Sequence, residues 1–163
     1  MARGNHGRSV FVPNFEANWR NNYMALRPLG SGSFGLVCEA SPKERIDCTR
    51  LHSRYLNLCS RSLSNVAIKI VQTHWSFKQE CKILRRIDHP NLIRMYETFE
   101  HRDASKNLTE CAVVMELCRG GNLREFMSCV ANAPIDVYRH IISQINCAGQ
   151  HLHHSKILHR DIK

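Results

Sequence analysis

The chain is poor in the features that would place it outside a reducing compartment or across a membrane. Its eight cysteines (Cys38, Cys48, Cys59, Cys81, Cys111, Cys118, Cys129 and Cys147) form no Cys-x-x-Cys pair and no zinc-ligand spacing. No apolar run approaches membrane-spanning length. The polar stretch Met1 to Ser9 has no apolar core of signal-peptide length, and the first glycine is Gly4, where a myristoylation signal needs one at position 2. An intracellular, cytoplasmic protein with reduced thiols and no membrane partner is therefore expected. Acidic side chains are scarce, 14 against 23 Lys and Arg, for a formal charge of +9. The excess is spread along the chain without basic-aromatic interleaving, so no nucleic-acid partner is expected. It suits a solvated surface, or attraction to acidic groups such as nucleotide phosphates.

With 163 residues, 43% of them apolar, the chain can build one ordinary domain with a real core. Residues 1–22 are dominated by Gly, Asn and Arg and read as a partly disordered leader. Tyr23 to Leu29 suggests a strand, followed by Gly30-Ser31-Gly32-Ser33-Phe34-Gly35. Three glycines at this spacing let a backbone turn tightly and bring N–H groups to phosphate oxygens. Dinucleotide-binding oxidoreductases share the pattern, but there the third glycine opens a helix. Here Leu36 to Ala40 favours a strand, and Ser41-Pro42 a turn. Residues 42–65, polar and rich in Arg and Ser, read as a long surface loop.

Val66 to Val71 is an apolar strand with Lys69 inside it, and a buried ammonium needs a partner. Ser76-Phe77-Lys78-Gln79 can cap a helix on which Phe77, Cys81, Leu84 and Ile87 share a face with Glu80. That carboxylate is the candidate counterion for Lys69. Pro90 is expected to end this helix, Arg94 to Glu100 to form a strand, and His101 to Thr109 a polar turn. The strand Cys111 to Cys118 runs into Gly120-Gly121, which mark a hinge or turn. A short helix over 123–130 and a long one over 134–155 follow. The apolar stripe of the long helix, Tyr138, Ile141, Ile142, Ile145, Ala148 and Leu152, requires a covering surface. His151, His153 and His154 are not read as a metal cluster, and no metal ligand is assigned.

The last stretch, Ile157-Leu158-His159-Arg160-Asp161-Ile162-Lys163, is apolar and then abruptly polar, like a chain leaving a core for a working loop. His-Arg-Asp-x-Lys resembles the catalytic loop of protein kinases, in the form similar to the Ser/Thr class. The glycine stretch, Val66-Ala67-Ile68-Lys69, His89-Pro90-Asn91 and Met115-Glu116-Leu117-Cys118 stand in the order of the same family. Tyr96-Glu97-Thr98-Phe99-Glu100 is similar to the calcium-dependent and calcium/calmodulin-type group, although no EF-hand loop is present.

The resemblance implies an α+β kinase-like fold. Its small lobe and hinge would span 23–118, a five-stranded antiparallel sheet with one helix and with 42–65 as an insertion where the family has a short hairpin connection, and 119–163 would be the first helices of the large lobe. It implies ATP as substrate, a protein Ser/Thr hydroxyl as acceptor and magnesium as the metal of the intact domain. Asp161 would orient the hydroxyl, Lys163 would neutralise the γ-phosphoryl group, and Lys69, paired with Glu80, would hold the α- and β-phosphates. The nucleotide would contact Leu29, Gly30, Ser31, Gly32, Ser33, Phe34, Gly35, Val37, Ala67, the gatekeeper Met115, backbone atoms of Glu116 and Cys118, and Asn122, where many relatives carry a ribose-binding Glu. Leu84, Met95 and His159 would belong to the family's hydrophobic spine. Only eleven positions separate Lys69 from Glu80, several fewer than is usual for the family, which implies a shortened helix or an imperfect pair. The magnesium-binding Asn and Asp-Phe-Gly are absent from these 163 residues, so little or no catalysis by them alone is expected. The alternative is a non-catalytic module that binds nucleotide or a partner.

Overall fold

The computed structural model describes residues 18–32, 35–43, 65–71, 74–103, 108–130, 133–160 and 162. Five strands, β1 (Tyr23–Gly32), β2 (Gly35–Pro42), β3 (Val66–Val71), β4 (Met95–Asp103) and β5 (Leu108–Glu116), form one antiparallel sheet in the order β1-β2-β3-β5-β4. Three helices accompany it: α1 (His74–Leu84), α2 (Leu123–Cys129) and α3 (Ile135–His154). This is the α+β arrangement, a five-stranded antiparallel sheet with a helix packed on it, that the resemblance implies.

The period-2 alternation of β5 gives the sheet two apolar faces. Cys111, Val113 and Met115 point one way, toward Phe77 and Cys81 of α1 and Met95 of β4. Ala112 and Val114 point the other way, into a cluster with Trp19, Tyr23, Cys38, Ala40, Val66, Ile68 and Phe99. Three of the free cysteines, Cys38, Cys81 and Cys111, serve as small core residues. Burial pushes the Cys81 thiol up to about 12 and that of Cys111 up to about 11, so both stay neutral.

Several boundaries differ from the expectation, each for a local reason. Trp19, assigned to the leader, is 3% exposed and lies in the core. It heads a 3-10 turn, Trp19–Asn21, and its indole N–H donates to Glu110 Oε1 at 3.0 Å. The Arg20 guanidinium stacks 4.5 Å from the indole ring centre. Strand β2 continues through Pro42, where a turn was expected. Pro42 pairs only with Tyr23 of β1, because the pairing of β3 with β2 stops at Ala40↔Val66, so the missing proline N–H faces no strand. The expected polar turn 101–109 is largely hairpin, with His101↔Glu110, Arg102↔Thr109 and Asp103↔Leu108 still in register. Helix α1 begins at His74, two residues before the expected start at Ser76. The helix stops at Leu84, well before Pro90, and Ile87 lies beyond its end.

Helix α3 ends in a Schellman-type turn: Lys156 is left-handed (φ 59°) and Ile157 N–H donates to Leu152 O at 2.9 Å. The helix leans on the segment after α1. Asn91 Nδ2 donates to Gln144 O (3.3 Å), the Arg86 guanidinium to Ser155 O (3.3 Å), and the His89 ring meets His151 with centroids 5.0 Å apart. His89 Nε2 lies 3.4 Å from the Cys147 sulfur. One edge of the α3 apolar stripe, Ala148 and Leu152, is buried, while Ile135, Ile142 and Ile145 on the other edge are more than half exposed.

Tyr23 and Glu97 form a part-buried polar pair between β1 and β4, the Tyr23 hydroxyl donating to Glu97 Oε1. Burial raises the Glu97 carboxyl above its ordinary range, an effect the Tyr23 hydrogen bond only partly offsets. Burial likewise raises the Tyr23 hydroxyl, so it remains a donor. A carboxyl with a raised folded-state pKa contributes stability that is complete below its unfolded pKa, about 4.3, and is lost as pH rises through the folded value. Glu97→Gln keeps an acceptor for Tyr23 and removes the charge. Melting curves at a series of pH values are expected to show this variant at least as stable as the parent at pH 7, with the difference shrinking toward pH 4. A gap that widens on acidification would contradict the assignment.

Candidate functional site

The glycine-rich turn joins β1 to β2, and the sheet register carries up to it: Gly30↔Val37, Ser31↔Leu36 and Gly32↔Gly35. Because a strand follows Gly35, the stretch lacks the helix that a dinucleotide-binding turn requires. Ser33 and Phe34, at its tip, lie outside the described residues. Two of its glycines differ in physical role. Gly35 has φ +109°, and a Cβ there would sit 2.2 Å from Ile70 O and 2.9 Å from Val71 Cγ1. Its lack of a side chain is demanded by β3. Gly30 has open space around the same position, so nothing inside the described structure demands a glycine there.

Lys69 sits in mid-sheet, opposite Val37 of β2 and Val113 of β5. The Lys69 ammonium donates to both oxygens of Glu80 on α1, at 2.7 and 2.8 Å. Its side chain is 17% exposed and that of Glu80 36%, so the pair stands at a rim open to solvent on the Glu80 side. The short separation in sequence has not spoiled the pair. Only residues 72–73 lie between β3 and α1, so the helix starts almost at once and Glu80 is reached within two turns. Arg85 fixes the far end of α1 by donating to Thr98 Oγ1 of β4 at 3.0 Å.

Ala67 is buried opposite Met115, itself 7% exposed, at the end of β5 where the chain leaves the sheet. Glu116 N–H donates to Arg94 O (2.9 Å), which ties this exit to the start of β4. Cys118 is exposed in the linker, and Leu29 is 39% exposed on β1. Asn122 closes the linker as the N-cap of α2: its Oδ1 accepts Glu125 N–H at 2.8 Å, and Glu125 Oε2 accepts Asn122 N–H at 3.2 Å. Gly121, at φ +72°, makes the turn into it.

The structure thus brings together the β1–β2 turn, Lys69, Glu80, Ala67 and the linker after Met115 around one sheet. Asp161 and Lys163 lie outside the described residues. Arg160 and His159 before them are exposed, Arg160 with φ 64°. Leu84 is half-buried and packs on the cluster that holds Met95, and His159 is exposed. No group of three or more metal-ligating side chains occurs among the described residues, and no helix among them is long and apolar enough to cross a membrane. The sequence pattern gives little sign of the ties from Arg86, His89 and Asn91 to α3 and its C-cap, which hold that helix against the segment after α1.

Residues 23–163 match the protein kinase domain model. The chain belongs to the protein kinase family. It is 31% identical over 159 residues to calcium-dependent protein kinase 3 of Plasmodium yoelii yoelii, covering 96% of this chain and 26% of that protein. It is 31% identical over 142 residues to the serine/threonine-protein kinase ATG1c of Arabidopsis thaliana, covering 87% and 17%. It is 29% identical over 146 residues to the human NUAK family SNF1-like kinase 2, covering 90% and 21%. The chain spans about a quarter or less of the length of these relatives.

Proposed function

We propose that this chain carries the nucleotide-binding part of a Ser/Thr protein kinase, with 23–118 as small lobe and hinge, 42–65 as an insertion and 119–163 as the start of the large lobe. The observation that carries the reading is the Lys69–Glu80 pair, held in mid-sheet beside a turn lined with glycines. An ammonium fixed by a carboxylate can meet an anion without moving, so the reorganisation cost of binding phosphate is already met.

ATP would lie with its adenine between Leu29, Val37, Ala67 and Met115. Its base edge would meet backbone groups of Glu116 and Cys118. Glu116 N–H is taken by Arg94, which leaves the carbonyl as the Glu116 group for the base. Its phosphates would run under the backbone of residues 30–35 toward Lys69. A Ser or Thr hydroxyl oxygen would attack the γ-phosphorus, ADP would leave, and the hydroxyl proton would pass toward Asp161, with Lys163 beside the transferred group. The ligands that the family resemblance assigns to magnesium are not among these 163 residues, and no step here is routed through a metal. Phosphoryl transfer by these residues alone is therefore expected at background level, and the working readout is binding. The free, core-filling cysteines suit a reducing, intracellular setting.

Titration of the chain with ATP, followed by calorimetry or displacement of a fluorescent nucleotide, is expected to saturate with a Kd between about 1 μM and 1 mM. Absence of saturable binding in that range would overturn the reading.

A further inference from the structure

We propose that the cluster Cys147, His89 and His151 is an oxidation site, where a hydroperoxide converts the Cys147 thiol to a sulfenic acid held by the two imidazoles. The proposal is independent of nucleotide binding. Six cysteines lie among the described residues: Cys38, Cys81 and Cys111 are buried, and Cys118, Cys129 and Cys147 are exposed. Burial keeps the Cys81 and Cys111 thiols neutral, and burial together with the Glu116 carboxylate raises that of Cys118. Cys147 is the exposed thiol with an imidazole nitrogen against it, His89 Nε2 at 3.4 Å.

The proton on that ring can be placed. Asn91 N–H donates to His89 Nδ1 at 3.1 Å, so Nδ1 is an acceptor and the proton of the neutral ring sits on Nε2. Nε2–H is then the donor and the sulfur the acceptor. A donor at the sulfur favours the thiolate, which is the nucleophile. The same proton leaves Nε2 no lone pair for a metal ion. His151 supplies the second observation. It follows Cys147 by four residues on α3, so the two share a face one turn apart. Its ring meets that of His89 with centroids 5.0 Å apart, yet its Nε2 is buried and has no hydrogen-bond partner among the described residues. An unpaired buried nitrogen is costly, and an oxygen carried by the sulfur is the partner it lacks. A sulfenic acid has both an O–H and lone pairs, so it serves His151 in either tautomer.

In the step itself the thiolate sulfur attacks one oxygen of hydrogen peroxide. An S–O bond forms as the O–O bond breaks. Sulfur is oxidised by two electrons, and the departing hydroxide takes up the proton that the thiol lost and leaves as water.

The test treats the full chain with hydrogen peroxide in the presence of dimedone, which traps sulfenic acids, and maps the trapped cysteines by peptide mass spectrometry. Cys147 is expected to be trapped about tenfold faster than exposed Cys129, the lower end of the scale for a hydrogen bond to a charged group. His89→Phe keeps a ring against His151 and removes the N–H, and is expected to slow Cys147 to the rate of Cys129. His151→Phe is expected to leave the trapping rate unchanged. When peroxide is first removed with catalase and dimedone is added after a delay, the fraction still trappable in that variant should fall several-fold. Equal trapping of Cys147 and Cys129 in the parent would overturn the proposal, and this comparison holds whether or not a variant folds. A His89→Phe chain that melts like the parent and traps Cys147 at the parent rate would overturn it too, by assigning the reactivity to exposure alone. An unchanged sulfenic acid lifetime in His151→Phe would overturn the placing of the oxygen at that ring.

Discussion

Replacing Lys69 by methionine is expected to weaken ATP binding by about 100-fold while leaving the melting temperature within a few degrees of the parent. The two halves of this expectation have separate origins. Lys69 Nζ lies 2.7 and 2.8 Å from the two oxygens of Glu80, so it is aimed before any ligand arrives. A hydrogen bond to a charged group contributes about 1.5–3 kcal/mol, roughly 10- to 150-fold in affinity. Stability should change little. The surviving Glu80 carboxylate is 36% exposed and can rehydrate, and pairs with such access contribute about 1 kcal/mol or less. Methionine fills the volume of the lysine stem between Val37 and Val113 without adding a charge. Glu80→Gln supplies the complementary variant. It removes the counter-charge and frees the ammonium to swing, so ATP affinity should fall by about tenfold, less than for the loss of the ammonium itself. In the double variant the two losses should not add, because the carboxylate acts only through the lysine. Equal affinity of the parent and Lys69→Met for ATP would remove the basis for placing phosphates at this ion pair.

What could be read in the sequence was whatever depends on short-range pattern. The apolar run Val66 to Val71, the stripe Phe77-Cys81-Leu84 and the period of the long helix each announced their element, because burial repeats every 2 or about 3.6 residues. The Lys69–Glu80 pair was legible for the same reason, as a charge stranded on each of two apolar faces. Contacts made across the fold by residues with no local signature were not legible. Trp19 sits among Asn and Arg and gives no hint that Glu110, ninety-one positions away, receives its indole N–H. The cap at Asn122 is legible in the sequence, because Asn followed three positions later by Glu is a capping-box signature. The different demands on Gly30 and Gly35 could not be read at all, because both belong to one phosphate-loop pattern, and only the position of β3 separates them.

That separation yields the second large effect. Gly35→Ala is expected to destabilise the fold by about 3 kcal/mol or more, with Gly30→Ala within about 1 kcal/mol of the parent. At Gly35 two costs coincide. A backbone at φ +109° is one that residues with a Cβ rarely adopt, and the new methyl would lie 2.2 Å from Ile70 O. That oxygen belongs to the backbone of β3, so relief requires parting β2 from β3 where Leu36 pairs with Ile70. Parting them would also shift Lys69, the residue before Ile70, away from Glu80, so ATP binding should fail along with stability. At Gly30 an alanine methyl meets nothing within 4 Å. It would protrude on the strand leading into the turn, where a nucleotide is proposed to lie against the backbone, and should cut ATP affinity several-fold in a protein that melts normally. Thermal melts and ATP titrations of the two variants together give the discriminating pattern: one loses the fold and the ligand, the other the ligand alone. Equal melting temperatures for the two would mean that Gly35 is not packed against β3. An unchanged ATP affinity in Gly30→Ala would move the nucleotide away from the glycine turn.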